Sequence, residues 1–373
     1  MQFCTRCVYP ASSAFRLTFD EKGVCSGCRV AEEARHINWK EQEQKLLELA
    51  HGFREKSGGK QYDCIVPVSG GKDSYFQTHY AINVLGLRPL LVTYHGNNYM
   101  PEGEYNLERM RHVFDVDHII FRPSEKLLIK MNRFCFKKMG DMNWHAHCGI
   151  MTYPVQIAVK FNIPFILWGE HGTLNIAGMY SLRDLPEMSA HKRLEHDLRG
   201  FDWYDMIDGE EDIKEQDLLW AKYPSDEELE TVGVRGVYLG NYINWDANTQ
   251  VKVVQKLYGW KAAEQAFERT YRRMSNLDDM HENGIHDYLK FVKFGYGRGT
   301  DHACKDIRGG YMTREVGVEM VKKYDHVKPS DLKRWLQYVG MTEEEFDRVA
   351  DTFRDPRVWR KNEKGEWEKD SIV

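Results

Sequence analysis

Residues 62–74 read YDCIVPVSGGKDS. The first seven form an apolar run of strand length, and the following YFQTHYAINVLG (75–86) is helical in character. Gly70 and Gly71 stand at the junction. Glycine there lets backbone approach a phosphate closely, and the helix N-terminus behind it offers unpaired N–H groups and a positive dipole end. Ser69 and Ser74 add hydroxyl donors. Bare phosphate would repel Asp73, so that carboxylate makes sense as a Mg²⁺ ligand. Lys72 points either into the pocket or out to solvent. The spacing is not that of a Walker A loop. A Gly-rich strand-to-helix turn without function is the alternative, and the position after the first strand of a parallel sheet favours phosphate.

Further apolar runs follow at RPLLVTYH (88–95), DHIIF (117–121), IPFILWGE (163–170) and GVYLGNYI (236–243). Helical stretches such as 102–114 and 152–162 separate them. Strands buried on both faces and alternating with helices predict an α/β fold with a parallel, doubly wound sheet over residues 61–245. Ligands in such sheets bind beyond the carboxyl ends of the strands. The charged, Trp-containing stretch 184–232 reads as an insertion: a lid, a partner surface or a solvated helical excursion. Residues 36–60 read as a linker helix with Trp39, Leu46, Leu49 and Phe53 roughly on one face. Residues 246–373 read as a C-terminal helical region, with 245–260 and 328–340 amphipathic and the last twenty residues charged and expected to fray.

The chain has 373 residues and is 42% hydrophobic, which excludes wholesale disorder and suits two or three domains. Its 52 basic and 57 acidic side chains give a net charge of −5, which argues against a dedicated nucleic-acid binder. No window approaches the roughly 20 apolar residues of a membrane span. The N-terminus MQFCTRCVYP has no apolar secretory segment, so a cytoplasmic protein with no membrane attachment is expected.

Eight cysteines are unevenly placed. Cys4, Cys7, Cys25 and Cys28 form two C-x2-C knuckles, whereas Cys64, Cys135, Cys148 and Cys304 are scattered. Two such knuckles aim their sulfurs at one tetrahedral ion. Residues 1–35 therefore read as a zinc ribbon, with an iron–sulfur centre left open. Four filled positions imply a structural metal, and so short a segment needs the metal's binding energy to fold.

VPVSGGKDS resembles the S-G-G-x-D-S signature of the N-type ATP pyrophosphatase (PP-loop) superfamily. FCTRCVYP…GVCSGC, VTYHGNNYMPEGEYNLERMR, MGDMNWHAHCGIMTYPVQIAVK, WGEHG and KFGYGRGTDHACKDIRGGYMTREV resemble the N-acetyl sugar amidotransferase family. These stretches are spread over nearly the whole chain. The resemblance implies an enzyme that uses ATP and Mg²⁺, beside the structural Zn²⁺, to convert an acetamido group of a bacterial surface-polysaccharide sugar to acetamidino. Sugars of the pseudaminic and legionaminic acid and O-antigen lipopolysaccharide pathways are the implied class. The route is an O-adenylyl intermediate, with AMP and pyrophosphate released. Ammonia would come from a HisH-like glutaminase, with a HisF-like ammonia-channel subunit as a further partner, since no glutaminase domain is evident in this sequence.

The resemblance and the strand ends together nominate the site residues. ATP would be held by Ser69, Gly70, Gly71, Lys72, Asp73 and Ser74, with Tyr94 and His95 at the end of the second strand and Gly169 at the end of the fourth. Catalytic candidates are Asp73, Lys72, Glu170, His171, Lys293 and Arg298. Glu170 would hold Mg²⁺ or accept a proton from ammonia, and His171 would move a proton or bind the sugar. Lys290, Lys293 and Arg298, beside Asp301 and His302, form a basic Gly-rich stretch able to close over leaving pyrophosphate, with solvated helix charge as the alternative. Asn98 and Glu102 are weaker polar candidates. His145, His147, Cys148 and Tyr153 are substrate candidates. His145 and His147 would chelate a metal from an extended segment but diverge on a helix, and with no further ligand nearby a substrate or ATP contact is favoured. The competing reading, a tRNA-thiolating PP-loop enzyme, needs a basic RNA face and a second catalytic cysteine, and neither is evident. A non-enzymatic zinc-ribbon scaffold would leave the phosphate loop unexplained.

Overall fold

The computed structural model describes residues 1–274 and 281–370. After the N-terminal knuckles come α1 (Ser26–Ala34) and α2 (Trp39–Ser57). The body is a sheet of β1 (Cys64–Pro67), β2 (Pro89–Tyr94), β3 (His118–Phe121), β4 (Phe165–Trp168) and β5 (Arg235–Tyr238). All pairings are parallel and the order is β3-β2-β1-β4-β5. Every residue of β1, β2 and β4 is buried, whereas the edge strand β3 is only half-buried. Continuous apolar runs therefore mark the central strands, as two-sided burial requires.

The crossovers are α3 (Lys72–Asn83), α4 (Pro101–Phe114), α5 (Glu125–Met139) and α6 (Trp144–Phe161). One face of the sheet packs on α2, α3, α4 and the helix Ala247–Tyr258, with Phe53 of α2 stacked on Phe165 of β4 at 4.6 Å. The apolar face of α2 thus fastens it to the main body. On the other face, Val155, Ile157 and Ala158 of α6 cover Ile65, Leu90 and Ile166. Because α6 leads into β4, its first turn lies at the carboxyl edge of the sheet, beside Tyr94.

The stretch 184–232 is a packed cap. Leu198, Met206, Ile213, Leu218 and Trp220 are buried with Tyr94, Met131 and Trp144. Arg193, 1% exposed, pins the cap to α6 by donating to Thr152 Oγ1 at 2.8 Å and to Asp202 Oδ1 at 3.0 Å. The excursion carries enough apolar surface to be drawn onto the body.

The C-terminal region is helical, with helices at Asn283–Phe294, Arg298–Arg308, Arg314–Tyr324, Leu332–Val339 and Glu343–Asp351. The expected fraying of the last twenty residues is corrected by the structure: they form an antiparallel hairpin of β6 (Trp359–Lys361) and β7 (Trp367–Lys369). Arg354 lies over the rings of Trp359 and Trp367, at 4.4 and 5.2 Å, and Val358 and Trp359 are buried. Aromatic burial outweighs the local charge here. Residues 371–373 of that stretch lie outside the described residues. No helix among the described residues is long and apolar enough to cross a membrane.

Candidate functional site

The Ser69–Ser74 loop joins β1 to α3 at the carboxyl edge of the sheet. Gly70 has φ of +87°, and a Cβ there would stand 2.8 Å from the Cα of Leu107, so only glycine fits. Its carbonyl accepts from Trp260 Nε1 at 3.0 Å, which fixes the turn. Gly71 is the N-cap of α3 and no side chain among the described residues caps that helix, leaving its first amides for an anion. Ser74 Oγ accepts from Ser69 N–H at 2.9 Å. Lys72 is buried and pairs with Asp73 Oδ2 at 2.6 Å. The other oxygen, Asp73 Oδ1, is buried with no hydrogen-bond partner among the described residues. A buried orphan carboxylate oxygen beside an anion-binding turn fits a Mg²⁺ ligand.

Cations of the C-terminal region gather around Glu170 and His302. Lys305 Nζ donates to both oxygens of Glu170, at 2.7 and 2.9 Å, and Arg272 pairs with Asp306. Burial pushes the Glu170 carboxyl up, but Lys305, and beyond it Lys72, hold it below its usual value. His302 donates to or accepts from Thr270 Oγ1 at 2.6 Å. Burial, then the charges of Arg272, Arg298, Lys305 and Lys72, keep its imidazole well below its usual pKa. Lys72, Lys305 and Arg272 are each paired with a carboxylate, Asp73, Glu170 and Asp306, so they serve a polyphosphate only by exchanging those partners.

A cavity of about 250 Å³ opens beside Glu170. Lys305, Asp306, Asn175 and Asn248 supply polar groups to its wall, and Trp39 and Trp245 supply aromatic ones. The α1 residues Val30, Ala31 and Ala34 close it from the ribbon side. A cavity of that volume with aromatic faces and converging amide, carboxylate and cationic groups suits a small polar ring. Gly169 borders this region, where a Cβ would meet Gln77 Oε1 at 2.9 Å and Trp245 at 3.3 Å. Arg272, Lys305, Asp306 and Trp245 were not among the sequence candidates. The signal for two of them lay in KDIRGG (305–310), one helical turn beyond the basic stretch that drew attention.

The other candidates are placed differently. His171 is buried and stacked on Tyr238 at 4.2 Å, with Nδ1 against Asn241 and Nε2 against Thr173, each at 3.1 Å. Burial lowers its pKa to about 4, so it is a neutral, fully engaged ring. His95 is fully buried between Tyr99 and Glu104, its Nε2 2.9 Å from Glu104 Oε1. Tyr94 packs against Gly149 and Trp220. Arg298 does not close over the loop: Asp287 holds its guanidinium at 2.9–3.0 Å, and Lys290 is paired with Asp301. Lys293 lies beside Asp141 and Arg199, where burial lowers its pKa to about 8. The carboxylates of the same helices consume the charge that the basic stretch displays in sequence.

The four substrate candidates of α6 point to four different neighbours. His145 Nδ1 lies 3.2 Å from Tyr94 Oη, and His147 faces His286. Cys148 is sealed under Arg193 and Thr152, and burial raises its thiol to about 11. Tyr153 stacks on Phe121 at 4.8 Å, in a cleft with Lys126 and Lys130. The helix disperses what the sequence puts side by side. Asn98 accepts from Arg334, and Glu102 is half-buried in the first turn of α4.

At the N-terminus, Cys4, Cys7, Cys25 and Cys28 are buried with their sulfurs together. Cys4 and Cys28 sulfurs are 3.9 Å apart, and those of Cys7 and Cys25 3.7 Å. A zinc ion with Zn–S bonds of about 2.3 Å requires tetrahedral edges of about 3.8 Å. The donor set therefore fits a single tetrahedral ion. Amides of Arg6, Cys7 and Cys25 point at Cys4 Sγ, as sulfur ligands require of their surroundings.

Residues 265–371 match the family described as LPS biosynthesis protein WbpG-like, C-terminal domain. No curated protein matches the chain in sequence. Among solved structures, NMN synthetase from Francisella tularensis is similar at 13% identity, covering 61% of this chain and 89% of that one, with a TM-score of 0.31. NH₃-dependent NAD synthetase from Campylobacter jejuni is similar at 11% identity, covering 52% and 92%, with a TM-score of 0.29. NAD⁺ synthetase from Burkholderia pseudomallei is similar at 10% identity, covering 63% and 94%, with a TM-score of 0.28.

Proposed function

We propose that the chain, which carries a WbpG-like C-terminal domain, is an ATP-dependent amidotransferase of sugars. Its substrate is the acetamido group of a bacterial surface-polysaccharide sugar, and its product is an acetamidino sugar with AMP and pyrophosphate. The observation that carries this reading is the Gly70–Gly71 turn, uncapped among the described residues, with Asp73 Oδ1 orphaned beside it and Lys72 in the first turn of α3.

An amide oxygen is a poor leaving group, so ammonia alone does not displace it. In the first step the amide oxygen attacks the α-phosphorus of ATP and pyrophosphate departs. In the second, ammonia attacks the imidate carbon, AMP leaves with the former amide oxygen, and the nitrogen loses a proton. The chain's work is to orient the reactants and to hold charge. The first amides of α3 and the Ser69 and Ser74 hydroxyls take pyrophosphate oxygens, and Lys72, Arg272 and Lys305 offset the charge that grows there. A Mg²⁺ ion held by Asp73 would supply electrostatic clamping of the phosphates when bound. The sugar occupies the cavity beside Glu170, with its ring against Trp245 or Trp39. Glu170, released from Lys305 as that lysine turns to phosphate, accepts the proton lost by ammonia. Ammonia comes from a HisH-like glutaminase through a HisF-like channel subunit, and in their absence from ammonium salts.

The sealed Cys148 gives the tRNA-thiolating alternative no nucleophile. Release of AMP and pyrophosphate is measured with an acetamido sugar plus ammonium, and separately with tRNA plus a sulfur donor. Amidine formation in the first arm is expected. ADP as the nucleotide product, or turnover only with tRNA, would sink the proposal.

A further inference from the structure

Asp141, His147 and His286 come from three places in the sequence and meet in the fold. Asp141 lies in the turn before α6, His147 in the first turn of α6, and His286 in the helix Asn283–Phe294. Their candidate ligand atoms all lie within 4.8 Å of one another. Asp141 Oδ1 is 2.8 Å from His286 Nδ1, and the rings of His147 and His286 are 5.5 Å apart. In the sequence no further ligand lies near the HAH pair, which favours a substrate contact over a metal, and its two histidines are expected to diverge on a helix. They do diverge, since His145 turns to Tyr94. His147 instead finds its companions in Asp141 and in a helix far along the chain.

We infer that Asp141, His147 and His286 form a second metal site, separate from the four thiolates, for a divalent transition ion of the zinc or ferrous class. Two imidazoles and one carboxylate are the donor set such ions take, with coordination positions left open to a water or a ligand oxygen. Donors on such an ion stand roughly 3 Å apart, from metal–ligand bonds of about 2.0–2.2 Å, so the side chains need only rotate inward. His286 would bind through Nδ1 in place of its contact with Asp141, its ring proton moving to Nε2.

The surroundings resemble the outer shell of a metal site. Arg199 Nη1 donates to Asp141 Oδ2 at 2.9 Å and the Asn143 amide donates to Oδ1 at 3.0 Å, so the carboxylate's orientation is already fixed. Arg199 and Lys293 bring positive charge to the cluster. That charge disfavours ions held by electrostatics alone, such as Mg²⁺ or Ca²⁺, and favours one bound through imidazole nitrogen.

The test uses the full chain produced in zinc-depleted medium supplemented with Co²⁺. Two equivalents of cobalt are expected, with two signatures. The cysteine site shows thiolate-to-metal charge transfer in the near ultraviolet, and the new site shows only weak visible bands. His147→Ala and His286→Ala should each lose one equivalent and the weak bands while keeping the charge transfer. A Cys4→Ser, Cys28→Ser double variant should lose the charge transfer. His147→Asn and His286→Asn, which preserve hydrogen-bonding capacity, replace the alanine variants if circular dichroism shows those to be unfolded. One equivalent of cobalt in the wild type, or two in the folded histidine variants, overturns the assignment.

Discussion

Arg308 donates through Nη2 to Cys25 Sγ at 3.4 Å and through Nη1 to the carbonyls of Asn175 and Ile176 at 2.9 Å. One buried guanidinium therefore ties the thiolate cluster to the segment that follows Glu170. It also borders the cavity there, and Gly27 must be glycine because a Cβ would strike it at 2.3 Å. A zinc ion with four thiolates would carry two negative charges, and Arg308 would offset part of them in a dry setting.

Replacing Arg308 with Met should cost about 3 kcal/mol, the order expected when one partner of a buried charge pair is removed. It should also speed metal loss to a chelator. Thermal melting and a chromogenic zinc-release assay check this, and a variant that melts and releases zinc like the wild type would contradict it. Chelation of the wild type should loosen residues 173–178, seen as faster hydrogen exchange there.

Asp73→Asn should lower the melting temperature only slightly, because Oδ1 has no partner among the described residues and Asp73, unlike Lys72, is partly exposed. AMP formation should fall by about 10²–10³, the usual loss on removing an electrostatic contributor to a charged transition state. The comparison of melting curves with AMP release across Mg²⁺ concentrations decides it.

Lys305→Ala removes the cation that holds Glu170. The Glu170 carboxyl is depressed in the folded protein, so its pairing contributes stability above the unfolded pKa and loses it as pH falls through the folded value. The variant should lose that contribution at neutral pH. Its turnover should drop about 10- to 100-fold, as for a charge-assisted contact to phosphate worth roughly 1.5–3 kcal/mol. Recovery by Lys305→Arg in turnover would assign the effect to charge.

Gly70→Ala forces a Cβ into Leu107 and an L-residue into the left-handed region. The conformational part alone costs about 1–2 kcal/mol. Both melting temperature and ATP affinity should fall, the second because the turn must move away from the phosphate. Isothermal titration with a non-hydrolysable ATP analogue reads the binding loss directly.

Acid should weaken the fold through its buried histidines, against the opposing effect of Asp197 and Glu282, whose carboxyls burial raises to about 7. His145 and His171 have folded-state pKa values lowered to about 4 by burial, against an ordinary 6.5. The unfolded chain binds those protons first, so stability is intact above pH 6.5 and is lost as pH falls from there toward 4. Each group costs up to about 1.4 kcal/mol per pH unit in that window. Denaturant titrations from pH 7.5 to 4.5 test the slope, and His171→Asn should flatten it.

The parallel sheet was legible in the sequence because its central strands are buried on both faces, which leaves uninterrupted apolar runs such as CIVP and FILW. The phosphate turn was legible because Gly70 is dictated by its backbone conformation, a local property. The knuckles were legible because two sulfurs three residues apart share one turn. The hairpin at 359–369 escaped because its stability comes from Arg354, outside the strands, sandwiched between Trp359 and Trp367.

Side-chain partnership across the chain was beyond the sequence. It displayed Lys290, Lys293 and Arg298 as a basic stretch, but only the fold brought Asp141 beside Lys293 and aimed Asp287 and Asp301 at Arg298 and Lys290. It displayed His145, His147 and Cys148 together, but the helical rotation sent each to a different neighbour. Lys305 reaches Glu170 solely because the C-terminal helices dock on the sheet edge. Local conformation and period are written residue by residue, whereas the charge that any one group meets depends on residues hundreds of positions away, and only chain packing fixes that.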